Sequence, residues 1–193
     1  MTRNRLLALA LAALALPFNS WSQQTGAATK IGADGKTVLH KIYDEDQKDR
    51  NDMTGDARRR KEVRRLLADG KVQSGEDYYY AAFIFQHGQK PPDYLLAHVL
   101  AVTAVSKGFH LAIWLSAASL DRYLHSIRQP QIFGTQFGSL YENSDDQGSY
   151  DKGMFSDDVR ALWCVAPISA QAEILSDVRA GKEFRSTRIC PLP

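Results

Sequence analysis

Three helical runs follow one another almost without interruption, Asp77 to His87, Asp93 to Lys107 and Phe109 to Ile127, and this succession limits the chain's fold more than any other feature. Gly88, Pro91 and Pro92 break the first pair, and Gly108 breaks the second. Connections this short put consecutive helices side by side and antiparallel. The middle run carries Leu95, Leu96, Val99, Leu100, Val102 and Val105 around most of its circumference, with Ala97, Ala101 and Ala104 as a small face for close packing. It is therefore expected to be largely buried.

Helical periodicity extends to both sides of this centre. From Thr37, the residues Val38, Leu39, Ile42, Tyr43, Asp46, Arg50 and Met53 recur at steps of three and four, so Asp46 and Arg50 hold stripe positions that are normally apolar, with Gln47 beside them. A second helix is predicted from Asp56, as N-cap, to Ala68, burying Val63, Leu66 and Leu67. Its other faces hold Arg58, Arg59, Arg60, Lys61, Arg64 and Arg65. Such a run can grip phosphates or an anionic glycan, or face Asp44, Glu45, Asp49 and Asp52 on the preceding helix; the reading preferred here is a solvated face. Beyond Ile127 the texture changes. Residues 142–153 are polar and turn-rich, Asp158 to Val165 suits a short helix or a strand, and a last helix is predicted from Ser169 to Ala180, stopped at Gly181. The expected fold class is mainly α, a compact antiparallel helical domain with an irregular C-terminal third, formed as a single domain over residues 37–193.

The N-terminus has the three-part layout of a secretory signal peptide: Arg3 and Arg5, the apolar run Leu6 to Leu16, then Pro17 and the small residues Ser20 and Ser22 before Gln23. The apolar run is short beside the roughly 20 residues that a membrane-spanning helix needs. Residues 1–22 are therefore expected to be cleaved and 23–36 to form a flexible leader, leaving an exported, periplasmic or secreted protein without a membrane span. Removal of Arg3 and Arg5 takes the formal charge from +2 to zero, so no global field attracts nucleic acid. The only cysteines, Cys164 and Cys190, lie near the end of a chain read as exported, and a disulfide between them would staple the tail to the domain.

Polar residues gather where the third central run ends, in LDRYLHSIRQPQIFGTQ from Leu120 to Gln136. Asp121 and His125 are four apart and can meet on one helix face, half of a catalytic arrangement that lacks a convincing nucleophile. His87, directly before Gly88, and His98, on an apolar stripe, are candidate acid/base groups or satisfied core histidines. Gln131, Thr135 and Gln136 flank Gly134, where a backbone can approach a ligand closely; the same amides can instead tie off helix ends. No paired motif points to a metal, and no cofactor is expected.

In the order Asp46-Gln47-x-x-Arg50, Gln86-His87-Gly88, Asp121-Arg122 and Gln131-x-x-Gly134-Thr135-Gln136, the chain resembles a family of bacterial proteins built on a domain of unknown function, over roughly residues 40–180. The resemblance implies that these residues act together on a mainly helical domain, and it carries no reaction or cofactor. The run around Trp114 is also similar to one unit of a tetratricopeptide or Sel1-like repeat, but no second copy follows at such a period. The function expected from these readings is a binding or interaction domain with a polar pocket for a cell-envelope ligand. Gln47, Arg50, Gln86, Arg122, Gln131, Thr135 and Gln136 are its candidate ligand contacts. The alternative is a hydrolase or other acid/base enzyme that uses His87 with Asp121 or Asp46.

Overall fold

Several helices begin where a side-chain acceptor caps the first turn, in a computed structural model that describes residues 37–48, 52–137, 147–180, 182 and 187–190. In α1 (Val38–Lys48), Thr37 Oγ1 accepts from the His40 amide at 3.1 Å. In α2 (Met53–Ala68) the cap is Asp52, which accepts from the Gly55 amide at 2.8 Å. The sequence pattern placed that start one turn later, at Asp56, whose carboxylate turns instead to the buried Arg59. A reciprocal capping box of Ser74 and Asp77 opens α3 (Gly75–Gln86), and proline in the first turn opens α4 (Pro91–Ser106). Then come α5 (Ala112–Ser126), α6 (Asp157–Leu162) and α7 (Ile168–Arg179), the last starting after Pro167 and not at Ser169.

The domain is mainly α, and α3, α4 and α5 form its centre. Gly75 at the start of α3 lies against Lys107 and Ala104 at the end of α4, while His98 of α4 bonds the Ser116 carbonyl of α5 at 2.9 Å, so consecutive central helices are antiparallel. In contrast, α1 runs parallel to α3: His40 and Tyr43 stack on Tyr80, Tyr43 meets Phe83, and Asp46 meets His87. The main core collects Leu39, Val63, Ile84, Phe85, Ala97, Leu100 and Leu115. Ala81, Ala82, Ala97, Ala101 and Ala104 have no exposed surface, which brings the α3 and α4 backbones close. Trp114 links this core to a second cluster around Ala117, Phe133 and Val165.

The central helix is less covered than its composition predicts. Leu95, Val99 and Val102 are 40%, 51% and 42% exposed, because α4 packs between α3 and α5 and carries no further helix on its outer side among the described residues. The basic run of α2 is a solvated face in part, with Arg58, Lys61, Arg64 and Arg65 exposed, but it also forms ion pairs. Arg59 is buried among Asp46, Asp52 and Asp56; Arg58 pairs with Glu45; Arg64 reaches Asp93 at 2.6 Å and stacks on Phe85. The run is largely an ion-pair latch that fastens α2 to α1 and to the start of α4.

The C-terminal third is held by polar contacts as much as by apolar ones. Arg160, fully buried, donates to the Tyr150 hydroxyl and to the Lys152 and Phe155 carbonyls. Cys164 and Cys190 are joined, with Cα atoms 5.0 Å apart. The tail beside them pairs Val165 with Arg188, and Trp114 Nε1 donates to Thr187 Oγ1 at 3.1 Å. The predicted signal peptide and leader (1–36), Arg50, Gly181 and residues 142–146 lie outside the described residues. Among those described, no helix is long and apolar enough to cross a membrane.

Candidate functional site

Antiparallel packing brings the C-terminal ends of α3 and α5 to the same end of the bundle as the start of α4, and parallel packing adds the end of α1. The polar signatures of the sequence therefore share one pole. They do not form one cluster, however; they form two, joined by Arg122.

The first cluster is an aspartate–histidine pair. His87 caps the C-terminus of α3, and its Nδ1 lies 2.7 Å from Asp46 Oδ2. An ionised carboxylate can only accept, so Nδ1 is the donor in this bond. Gln47 Nε2 donates to the same carboxylate oxygen at 2.7 Å, and Arg59 Nε approaches the other oxygen at 3.7 Å. The Asp46 side chain is 1% exposed and that of His87 is 16% exposed, so the acid is sealed beneath an imidazole that reaches the surface. Burial works against the charge on Arg59, but Asp56, Asp46 and Asp52 outweigh it and hold its pKa above the ordinary value. Arg60 donates to the His87 carbonyl at 3.1 Å, which satisfies an acceptor that the helix end leaves open.

The second cluster is a closed knot around Asp121. The fully buried carboxylate accepts from the amides of Ile132 (2.9 Å), Phe133 (3.0 Å) and Thr135 (2.9 Å) and from Thr135 Oγ1 (2.8 Å). Burial pushes its pKa up, and these four hydrogen bonds pull against that shift by favouring the anion. The loop can wrap the carboxylate because Gly134 adopts φ +79°, and a side chain there would run into Gln171 and Tyr150. Buried carboxamides complete the knot. Gln131 accepts from the Gln136 amide at 2.9 Å and donates to the Gln136 and Gln147 carbonyls. Gln136 donates to the Ala118 carbonyl and to Thr135 Oγ1, while Gln171 donates to the Phe133 and Ala166 carbonyls. Gln147 donates to the Gly134 carbonyl and to Gln171 Oε1.

Arg122 joins the clusters. Its Nε donates to Gln136 Oε1 at 2.9 Å and its Nη1 to the Gln86 carbonyl at 2.6 Å, with its guanidinium 5.8 Å from the centre of the Tyr94 ring. Tyr94 in turn donates to the Gly88 carbonyl at 2.8 Å. Gln86 behaves unlike the other glutamines: its residue is 5% exposed, yet Oε1 has no hydrogen-bond partner. A buried amide oxygen left in this state costs about 1–3 kcal/mol.

Of the sequence-predicted residues, Asp46, Gln47 and His87 thus meet directly, and Gln131, Thr135 and Gln136 surround Asp121. The carboxylate that holds His87 is Asp46, while both oxygens of Asp121 are taken by the loop. Cys164 and Cys190 form the bond that ties the tail to the domain and belong to neither cluster. Sequence reasoning missed Gln147, Tyr150, Arg160 and Gln171, which complete the knot from distant segments; a buried carboxamide leaves no periodic signal. Among the described residues, no three His, Cys, Asp or Glu side chains are grouped to hold a metal. Compared with family models, curated proteins and solved structures, the chain matches none.

Proposed function

We propose that this chain is an exported domain that binds a polar component of the cell envelope, with the His87 end of the bundle as its recognition surface. The observation that carries this reading is the contrast within one pole: Asp121 and its amides are closed on one another, whereas Asp46 holds a partly exposed imidazole in one orientation. A fixed imidazole backed by a buried acid is a preorganised polar contact, and preorganisation reduces the ordering penalty of binding. The order of the signatures, which resembles that of an uncharacterised bacterial family, supports treating these residues as one unit. The Cys164–Cys190 bond supports export, since such bonds persist in oxidising compartments.

The test is calorimetric titration of the mature protein with solubilised envelope fragments. His87→Ala is expected to weaken binding at least about tenfold, equivalent to ~1.4 kcal/mol, while its melting temperature stays close to wild type. Unchanged affinity would exclude His87 as a contact. A second reading, an acid/base enzyme, is favoured by the 2.7 Å Asp46–His87 bond, in which a buried carboxylate orients an imidazole. It requires His87→Ala to keep affinity and lose turnover of the same fragments. In that reading Asp121 is a positioning residue, acting on Arg122 through Thr135 and Gln136.

A further inference from the structure

Between Asp93 and Lys107 the chain carries no Asp, Glu, Lys or Arg, and both of those residues are engaged with other helices: Asp93 is buried against Arg60 and Arg64, and Lys107 lies over the Tyr78 ring of α3. The side of α4 that α3 and α5 leave bare holds Leu95, Val99 and Val102, at steps of four and three along one helix face. The hydroxyls near this stripe turn back on the helix itself. Thr103 donates to the Val99 carbonyl and Ser106 to the Thr103 carbonyl, both at 2.8 Å. At one end of the stripe, Val102, Val105, Ile113, Ser116, Leu162 and Trp163 line a cleft of about 210 Å³, and Leu162 is 75% exposed on its wall. The bare surfaces of Leu95, Val99, Val102 and Leu162 together come to about 300 Å², the size at which the largest apolar patch on a soluble chain is often functional.

We infer that this face docks a second copy of the same chain, α4 antiparallel to α4, about a twofold axis through Val99. The occupant is read from the layout of the patch. At about 1.5 Å per residue, Leu95 lies ~6 Å before Val99 along the helix, and the Val102–Val105 wall of the cleft is centred ~7 Å beyond it. A projecting side chain and a recess thus stand at nearly equal distances on either side of one residue. Rotation about that residue sets Leu95 of each copy over the cleft of the other and Val99 against its twin, so a single patch supplies both halves of an isologous contact. A small apolar ligand would use the cleft alone and leave Leu95 and Val99 bare. The area suits a weak, reversible dimer: such contacts bury less than about 1,200 Å² in total, or ~600 Å² per copy. The apolar stripe supplies about half of that as a core, and the uncharged residues beside it supply a rim. Because His87 precedes α4 in each copy, the antiparallel pairing points the two His87 ends in opposite directions.

The experiment is sedimentation velocity on the full mature protein from low to high micromolar concentration. Wild type is expected to pass reversibly from monomer to dimer. Val99→Glu places two like charges on the axis and is expected to weaken the dimer at least about tenfold, with a melting temperature close to wild type because the side chain is half exposed. A second measurement fixes the axis and uses a smaller substitution, so it also decides should Val99→Glu fail to fold. The native cysteines are bonded to each other, so a short bismaleimide reacts only with an introduced thiol. It is expected to couple Val99→Cys into a covalent dimer and to leave Lys61→Cys, on the exposed face of α2, monomeric. A wild-type protein that stays monomeric at every concentration overturns the inference. So does a dimer of undiminished strength in Val99→Glu, or equal coupling of the two cysteine variants, since either puts the contact elsewhere. Growth beyond the dimer overturns the twofold arrangement.

Discussion

Asp121 and Asp46 are buried aspartates at the same end of the bundle, but their hydrogen bonds go in different directions. Asp121 accepts from three backbone amides and a hydroxyl of one loop, so its charge organises the chain's own backbone. Asp46 accepts from His87 and Gln47, and its charge orients a side chain that reaches solvent. Similar residues in similar burial thus separate into a device that shapes the fold and one that presents chemistry. The difference lies in what each partner does next: Ile132 and Phe133 lead back into the second core, and the imidazole leads outward.

The comparison predicts a graded set of outcomes. Asp121→Ala leaves four donors without an acceptor and is expected to cost about 4 kcal/mol or more, read by urea denaturation. A loss below about 1 kcal/mol would show that the loop finds other partners. Cys164→Ser is expected to lower stability by about 2–4 kcal/mol under oxidising conditions and by little once both proteins are reduced. Gly134→Ala combines the positive φ with the collision against Gln171 and Tyr150 and is expected to cost about 2 kcal/mol, with weakened hydrogen-exchange protection of the Ile132 and Phe133 amides. Asp46→Asn is expected to cost about 1–2 kcal/mol and to reduce ligand binding, a mixed effect that the purely structural Gly134 change would not show. His87→Ala, at the bottom of the series, should change stability by less than about 1 kcal/mol and show its effect in ligand binding. If Asp46→Asn and Asp121→Ala proved equally destabilising and neither affected binding, the division between the two clusters would collapse.

Much of the helical order was legible in the sequence, because apolar spacing and turn residues act locally. The runs ending at His87 and Ile127 and the break at Gly108 correspond to observed helix ends. Capping was less legible. Asp52 and Asp56 can each cap a helix, and the choice is made by Arg59, which draws Asp56 onto itself. The exposure of Leu95, Val99 and Val102 was not legible, since an apolar ring around a helix states what can be buried and not how many neighbours arrive. The site was legible as a list and not as an arrangement. Asp121 and His125 have helix-pair spacing, yet Asp121 turns to a loop eleven to fourteen residues away. The spacing between Asp46 and His87 carries no periodicity, and they meet only because α1 packs parallel to α3.

The bond between Cys164 and Cys190 encloses the whole of α7 in a covalent ring. A protease that cuts anywhere between those cysteines opens the ring but releases no fragment. The nicked protein would keep its full mass on a non-reducing gel and separate into two bands only after a thiol is added. Cleavage within α7 can therefore go unseen in an oxidising medium.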